Sequence, residues 1–135
     1  VRAAIEAVDR DQCYRWALNN RKPVMTWSTG RVTLLGDAVH PTLPYMAQGA
    51  AMAIEDAAVL ARALDMNRPL ADALQVYQNH RAPRAARVVN ESTEMADLYH
   101  IADAAEMKKA FHDRNIAASR NGWLYPYDPL RVALD

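Results

Sequence analysis

Residues 31–57 read Arg31-Val32-Thr33-Leu34-Leu35-Gly36-Asp37-Ala38-Val39-His40-Pro41-Thr42-Leu43-Pro44-Tyr45-Met46-Ala47-Gln48-Gly49-Ala50-Ala51-Met52-Ala53-Ile54-Glu55-Asp56-Ala57, and the fold turns on them. The run Val32 to Leu35 is too continuously apolar for a half-wet strand. It reads as a strand buried on both faces, as in parallel α/β sheets. Gly36-Asp37 ends it, Pro41 and Pro44 stiffen the loop that follows, and Gln48-Gly49 opens an alanine-rich helix. An aspartate at the carboxyl end of such a strand sits where α/β folds place their ligand crevice. The helix start supplies N–H groups at Gly49, Ala50 and Ala51 without intrahelical acceptors. A carboxylate accepts hydrogen bonds from hydroxyls, which suits a ribose or ribityl chain. A helix N-terminus favours a nearby negative charge by about 0.3–1 kcal/mol. Blander readings stay open for each: Asp37 bracing its loop, and Gly49 serving close packing alone.

Outward from this stretch the pattern is helical. The first long helix is expected from Ala47 to Leu64, with Met46, Ala50, Ile54 and Ala58 on one stripe and Ala53, Ala57, Leu60 and Leu64 beside it. Small residues there imply close approach to a sheet or a cofactor. Pro69 starts a second helix with Asp72 in its first turn, and Leu70, Leu74, Tyr77 and Arg81 share a face. Pro83 is expected to kink or interrupt it, with fraying near Tyr99. A third helix is expected over Ile101 to Ala118, with Ala104, Met107, Phe111 and Ala118 inward. The tail from Asn121 to Asp135 reads as an ordered aromatic strap, since Trp123, Tyr125 and Tyr127 would otherwise expose much apolar area. Upstream, residues 2–18 look helical or turn-like with Ile5, Val8, Trp16 and Leu18 as anchors. Val24 to Trp27 is β-prone, and Ser28-Thr29-Gly30 is a turn.

At 135 residues the chain fits one domain or a piece of one. A net charge of zero gives no electrostatic case for nucleic acid or an anionic membrane. No apolar run approaches a membrane span of about 18 residues. Cys13 is alone, which excludes a disulfide framework and fits a reducing, cytoplasmic setting. No P-loop, nucleophile elbow or zinc pattern occurs. His40, His80, His100 and His112 lack ligand spacing and read as structural or surface residues, so no metal is expected. Glu55-Asp56 reads as solvated or bound to neighbouring backbone, although a paired acid site is the sharper alternative. Arg81, Arg84 and Arg87 read as a solvated or salt-bridged face.

Gly36-Asp37-Ala38, His40, Pro44, Gln48-Gly49 and Glu55-Asp56-Ala57 together resemble the second flavin-binding segment of the group A FAD-dependent aromatic monooxygenases. The likeness is greatest to their salicylate hydroxylase and 6-hydroxynicotinate 3-monooxygenase branch. Arg15-Trp16-Ala17-Leu18, Tyr77 with Arg81, Pro83-Arg84, and the Trp123-to-Leu130 segment extend it along the chain. The resemblance implies the C-terminal part of an α/β, Rossmann-like FAD/NAD(P)-binding aromatic hydroxylase fold, mainly helical here with a short β-hairpin. It implies three stretches: 1–30 as the end of the substrate-domain region and a connecting strand, 31–66 as the FAD-binding strand–loop–helix, and 67–135 as helices and aromatic tail.

By position, Gly36 and Asp37 would meet the ribityl chain of FAD. Gly49, Ala50 and Ala51 would present backbone N–H groups to the N1–C2=O edge of its ring, with Gln48 a further cofactor-binding residue. Pro44 and Tyr45 would lie against the flavin and border the substrate pocket. Gln48 replaces the lysine of some relatives. The implied reaction hydroxylates a phenolic or hydroxylated heteroaromatic carboxylate with O₂ and NADH or NADPH. The glycine fingerprint for the adenine and pyrophosphate is absent from these residues, as is the base that activates the substrate. The remaining, N-terminal part of the enzyme is therefore an expected partner, and a homodimer is compatible with the family. The alternative is a non-catalytic helical interaction module of flavoprotein descent that no longer binds FAD.

Overall fold

Two long helices lie against each other because each carries one apolar face. The computed structural model describes residues 2–115, 118 and 122–135. Helix α2 (Gly49–Asp65) buries Met52, Asp56, Val59 and Ala63, a four–three–four spacing that keeps one face inward. Helix α3 (Leu70–Tyr99) answers with residues that include Tyr77, Ala82, Ala85 and Val88. The small-residue side of α2, expected to approach a sheet or a cofactor, is not the one that meets α3. Ile54 is 69% exposed, and Ala50, Ala57 and Leu64 are also exposed. Helix α3 covers the opposite side; on the small-residue side Ala53 lies close to Gly36, and Ala50 and Ala53 line a cleft.

Pro69 precedes α3 and Asp72 stands in its first turn, as expected. Pro83 does not interrupt the helix, which runs as one element through it. Proline deletes one hydrogen bond and crowds the preceding turn. Here Pro83 is exposed while Arg81, Ala82 and Ala85 on either side are buried, so tertiary packing holds the helix across the defect. Helix α4 (Ala104–Asp113) is shorter than expected. Asp103 caps it by accepting from the Glu106 amide at 2.7 Å. Phe111 and Met107 are half-buried, whereas Ala104 and Ala118 are exposed.

The β-structure is a small hairpin: β1 (Ser28–Thr29) pairs antiparallel with β2 (Val32–Thr33), in register Ser28 to Thr33 and Thr29 to Val32. Gly30, at φ +60°, supplies the left-handed turn position. This corrects two expectations. Val24 to Trp27 is not a strand, and Val32 to Leu35 is not buried on both faces: Val32 is 66% exposed, with Leu34 and Leu35 also exposed. A strand becomes doubly buried only when neighbours flank it and layers cover it, and no described residues do so. The same holds upstream, where α1 (Arg2–Glu6) buries nothing and Ile5, Val8, Trp16 and Leu18 are exposed.

Trp27 is the inward anchor of the hairpin. Its amide and that of Ser28 both donate to Gln78 Oε1 on α3, at 2.6 and 2.9 Å. The tail is a strap, as expected. Arg62 on α2 donates to the carbonyls of Pro129 and Val132 at 2.7 and 2.8 Å. Arg84 on α3 donates to those of Trp123 and Leu124, and Leu124 is buried beneath. Asn121 lies outside the described residues.

Candidate functional site

A cleft of about 630 Å³ opens between the end of the hairpin and the start of α2. Leu35, Gly36 and Asp37 form one wall, Thr42, Leu43 and Pro44 the second, and Ala47, Gly49, Ala50 and Ala53 the floor. The chain reaches this shape through two tight turns. Residues Gly36–Ala38 form a 3-10 turn, entered by Gly36 at φ +60°. A side chain at Gly36 would bring its Cβ within 3.3 Å of the Ala53 Cβ, so glycine serves both the backbone angle and the approach to α2. Residues Pro44–Met46 form a second 3-10 turn, with Pro44 at its start where proline is favourable, and Ala47 then turns left-handed at φ +53°. That reversal leads through Gln48 into α2, whose first residues Gly49 and Ala50 line the cleft.

The start of α2 is uncapped. The Gln48 side chain makes no capping bond and instead donates to the Met46 carbonyl. No acceptor among the described residues takes the amides of Gly49, Ala50 or Ala51. Asp37 is exposed, and no described residue pairs with its carboxylate. The cleft therefore offers an unengaged acceptor on one wall and unengaged donors on its floor, lined otherwise by small and apolar groups. An anionic or carbonyl-bearing ring edge and a hydroxylated chain would satisfy both.

Of the residues singled out from sequence, Gly36, Asp37, Pro44, Gly49 and Ala50 line this cleft together. Gln48 and Ala51 do not line it, although both adjoin its floor. Tyr45 turns away as well. Its ring stacks on Tyr99, centroids 5.5 Å apart, with Phe111 behind Tyr99 at 5.3 Å.

Behind the cleft stands a cluster that the sequence reading placed on the surface. Asp56 is fully buried. Its Oδ1 accepts from Arg81 Nε at 2.7 Å, and its Oδ2 accepts from the Gly36 amide at 3.0 Å and contacts His40 Nε2 at 2.5 Å. Arg81, also fully buried, reaches Glu55 Oε2 with Nη1 at 2.8 Å as an ion pair outside aligned hydrogen-bond geometry. Glu55 in turn takes both a 2.7 and a 2.8 Å bond from Arg84, a bidentate pair. Arg84 and Arg81 sit over the Tyr127 ring at 4.0 and 5.3 Å from its centroid.

Burial alone would raise the Asp56 pKa. Hydrogen bonds from His40 and Arg81, the Arg81 charge and the Gly36 amide outweigh it and hold the carboxyl below its ordinary value. Burial would likewise push the Arg81 proton off, but Asp56 and Glu55 keep its pKa above ordinary. Burial, and next the Asp56 charge, push the Tyr77 phenol up; its hydroxyl donates to the Leu34 carbonyl.

So Glu55-Asp56 is neither solvated nor bound only to nearby backbone. Arg81 is buried, while Arg84 pairs with Glu55 and Arg87 with Glu91, as a salt-bridged face requires. The signal was present: Arg81 is in helical phase with Leu74 and Tyr77, and Asp56 with Met52 and Val59. A charge in phase with a core needs a partner.

Residues 3–92 match the family described as FAD binding domain. The chain belongs to that family. It is 53% identical over 87 residues to 3-hydroxybenzoate 6-hydroxylase of Polaromonas naphthalenivorans, covering 64% of the chain and 22% of that protein. It is 50% identical over 90 residues to 6-hydroxynicotinate 3-monooxygenase of Bordetella bronchiseptica, covering 65% of the chain and 23% of that protein. Among solved structures, a salicylate hydroxylase–substrate complex superposes with a TM-score of 0.67 at 35% identity, over 84% of this chain and 29% of that one. The chain thus spans about a quarter of the length of such relatives. These similarities bear out the flavin resemblance and the fold it implied: part of the FAD-binding aromatic hydroxylase fold, mainly helical here with a two-stranded hairpin. Among the described residues no helix is long and apolar enough to cross a membrane.

Proposed function

We propose that this chain holds the ribityl and ring-edge part of FAD in an enzyme that hydroxylates a phenolic or hydroxylated heteroaromatic carboxylate, using O₂ and NADH or NADPH. One observation carries the reading: Asp37 and the unengaged first-turn amides of α2 line a common cleft. Bound there, FAD supplies the redox and oxygen chemistry; the chain supplies placement and charge.

In this reading the Asp37 carboxylate takes hydrogen bonds from the ribityl hydroxyls. Gly49 and Ala50, with Ala51 one residue further on, turn their N–H groups toward the N1–C2=O edge, where the helix dipole favours the negative charge of the reduced ring. Gly36 keeps the wall close to α2. Pro44 gives a rigid apolar surface for the ring, and Gln48 and Tyr45 stand at the margin. Tyr45, stacked on Tyr99, would border the substrate only from its backbone side or after turning. Stretch 31–66 is the flavin-holding unit, 67–135 its helical support with the strap, and 1–30 the approach from the substrate side. The exposed, unpaired Cys13 fits a cytoplasmic protein.

The experiment is Asp37→Ala in the full-length protein that contains this chain, with FAD affinity measured after removal and re-addition of the cofactor. The loss expected is that of a charge-assisted hydrogen bond, about 1.5–3 kcal/mol. Unchanged affinity would refute the assignment of Asp37.

A further inference from the structure

We propose that Asp56, which lies behind the cleft and does not line it, is the positioning residue that sets the spacing between Asp37 and the amides at the start of α2. The proposal rests on the flavin reading of the cleft. Asp56 stands on α2, less than two turns beyond Ala50, so its place relative to the helix start is fixed by helical geometry. Its Oδ2 takes the amide of Gly36, the residue immediately before Asp37, and the Nε2 of His40, two residues after Ala38. One carboxylate oxygen thereby holds both ends of the 3-10 turn that displays Asp37.

The turn has its own internal bonds, with Val39 and His40 amides donating to the Gly36 carbonyl at 3.0 Å each. It is therefore a stiff unit, and its attachment to α2 decides where Asp37 sits. The other oxygen of Asp56 is held by Arg81 of α3, so the carboxylate cannot swing to follow the turn. Because Asp56 and Arg81 are both fully buried, water offers no substitute contacts. The near approach of Gly36 to Ala53 has the same sense: the Oδ2 bonds hold the turn so close to the helix that a Cβ at Gly36 would crowd the Ala53 side chain.

The test is a double-mutant cycle in the full-length protein, read as the FAD dissociation constant by flavin fluorescence on adding FAD to apoprotein. Asp37→Asn alone and Asp56→Asn alone are each expected to weaken FAD by roughly tenfold or more. If Asp56 acts through Asp37, D37N/D56N will be no more than about twofold weaker than the weaker single variant, because the two losses share one contact. The absorption bands of flavin bound to D56N should shift toward those of D37N.

Arg62→Gln, which frees the tail strap, is the control for plain loss of stability and should leave FAD affinity unchanged. Losses that multiply in the double variant would overturn the proposal, as would D56N affinity within about twofold of the parent. R62Q weakening FAD as much as D56N does would also overturn it. Should D56N not fold, His40→Gln, which frees only the far end of the turn, is judged by the same cycle with D37N. Unchanged affinity in D37N itself would instead strike at the flavin reading, so the two failures are separable.

Discussion

The cleft and the charge cluster behind it lie back to back on α2, and they treat a carboxylate in opposite ways. Asp37 faces the cleft with no described partner, whereas Asp56, nineteen residues later in sequence and fully buried, has its acceptor sites filled by Gly36, His40 and Arg81. The first is available to a ligand because the fold leaves it unsatisfied. The second is unavailable to anything, and its work is done by holding neighbours still. Removing a group from the cleft should alter binding more than stability, and removing one from the cluster should alter stability first.

The strongest way to break that contrast is Arg81→Met. It leaves the fully buried Asp56 without its arginine, while Glu55 keeps Arg84, so the loss expected is about 3–5 kcal/mol in chemical denaturation. A loss below about 1 kcal/mol would mean that the cluster is as dispensable as a surface pair.

Acid should dissect the same cluster. Asp56 binds its proton more weakly folded than unfolded, so its stabilising share is complete above the ordinary value of 3.8 and disappears as pH falls through the lower folded value. Melting temperatures taken from pH 6 downward should show this acid limb, and Asp56→Asn should flatten it. At the alkaline end the sign reverses through Tyr77. Its raised pKa makes folding favour the neutral phenol, so stability is lost as pH rises above the ordinary value of 10.0.

The cleft side sharpens the contrast with a smaller effect on stability. Asp37→Ala should change unfolding free energy by no more than about 0.5 kcal/mol, as an exposed position does, even while it weakens FAD. Gly36→Ala lies between the regions. Left-handed backbone without glycine costs about 1–2 kcal/mol, and the crowded Ala53 contact adds to it, so this variant should lose both stability and FAD affinity. Last, Lys109→Ala removes an exposed i,i+4 pair with Asp113 at 2.6 Å on α4 and should cost under about 0.5 kcal/mol. A larger loss there would show that ion pairs in this molecule matter regardless of burial.

Much of this was legible along the chain. The Gly36-Asp37 turn, the stiff loop and the Gln48-Gly49 helix start announce themselves through residue types with special backbone needs. Five of the seven residues expected to meet the cofactor line one cleft. The tail strap followed from aromatic content, and its pins, Arg62 and Arg84, could not be named because their acceptors are distant backbone carbonyls. The small residues of α2 were expected against a sheet or a cofactor, and Ala50 and Ala53 line the cleft; periodicity alone did not say that α3 would take the Met52–Val59 side. Glu55 and Asp56 were read as wet because acidic residues usually are, and only their phase with Met52 and Val59 argued otherwise.

By itself, then, the sequence determined what is local: which residues turn, which begin helices, and where donors and acceptors would be left over. Those follow from φ preferences, missing amides and helical period, none of which needs a distant contact. Only the tertiary structure decided that Asp56 would meet Arg81 and the Gly36 amide, that Pro83 would sit inside an unbroken helix, and that Val32 would lie open rather than covered. Each of these depends on what packs against the residue, and burial is a property of the assembled chain, not of any segment within it.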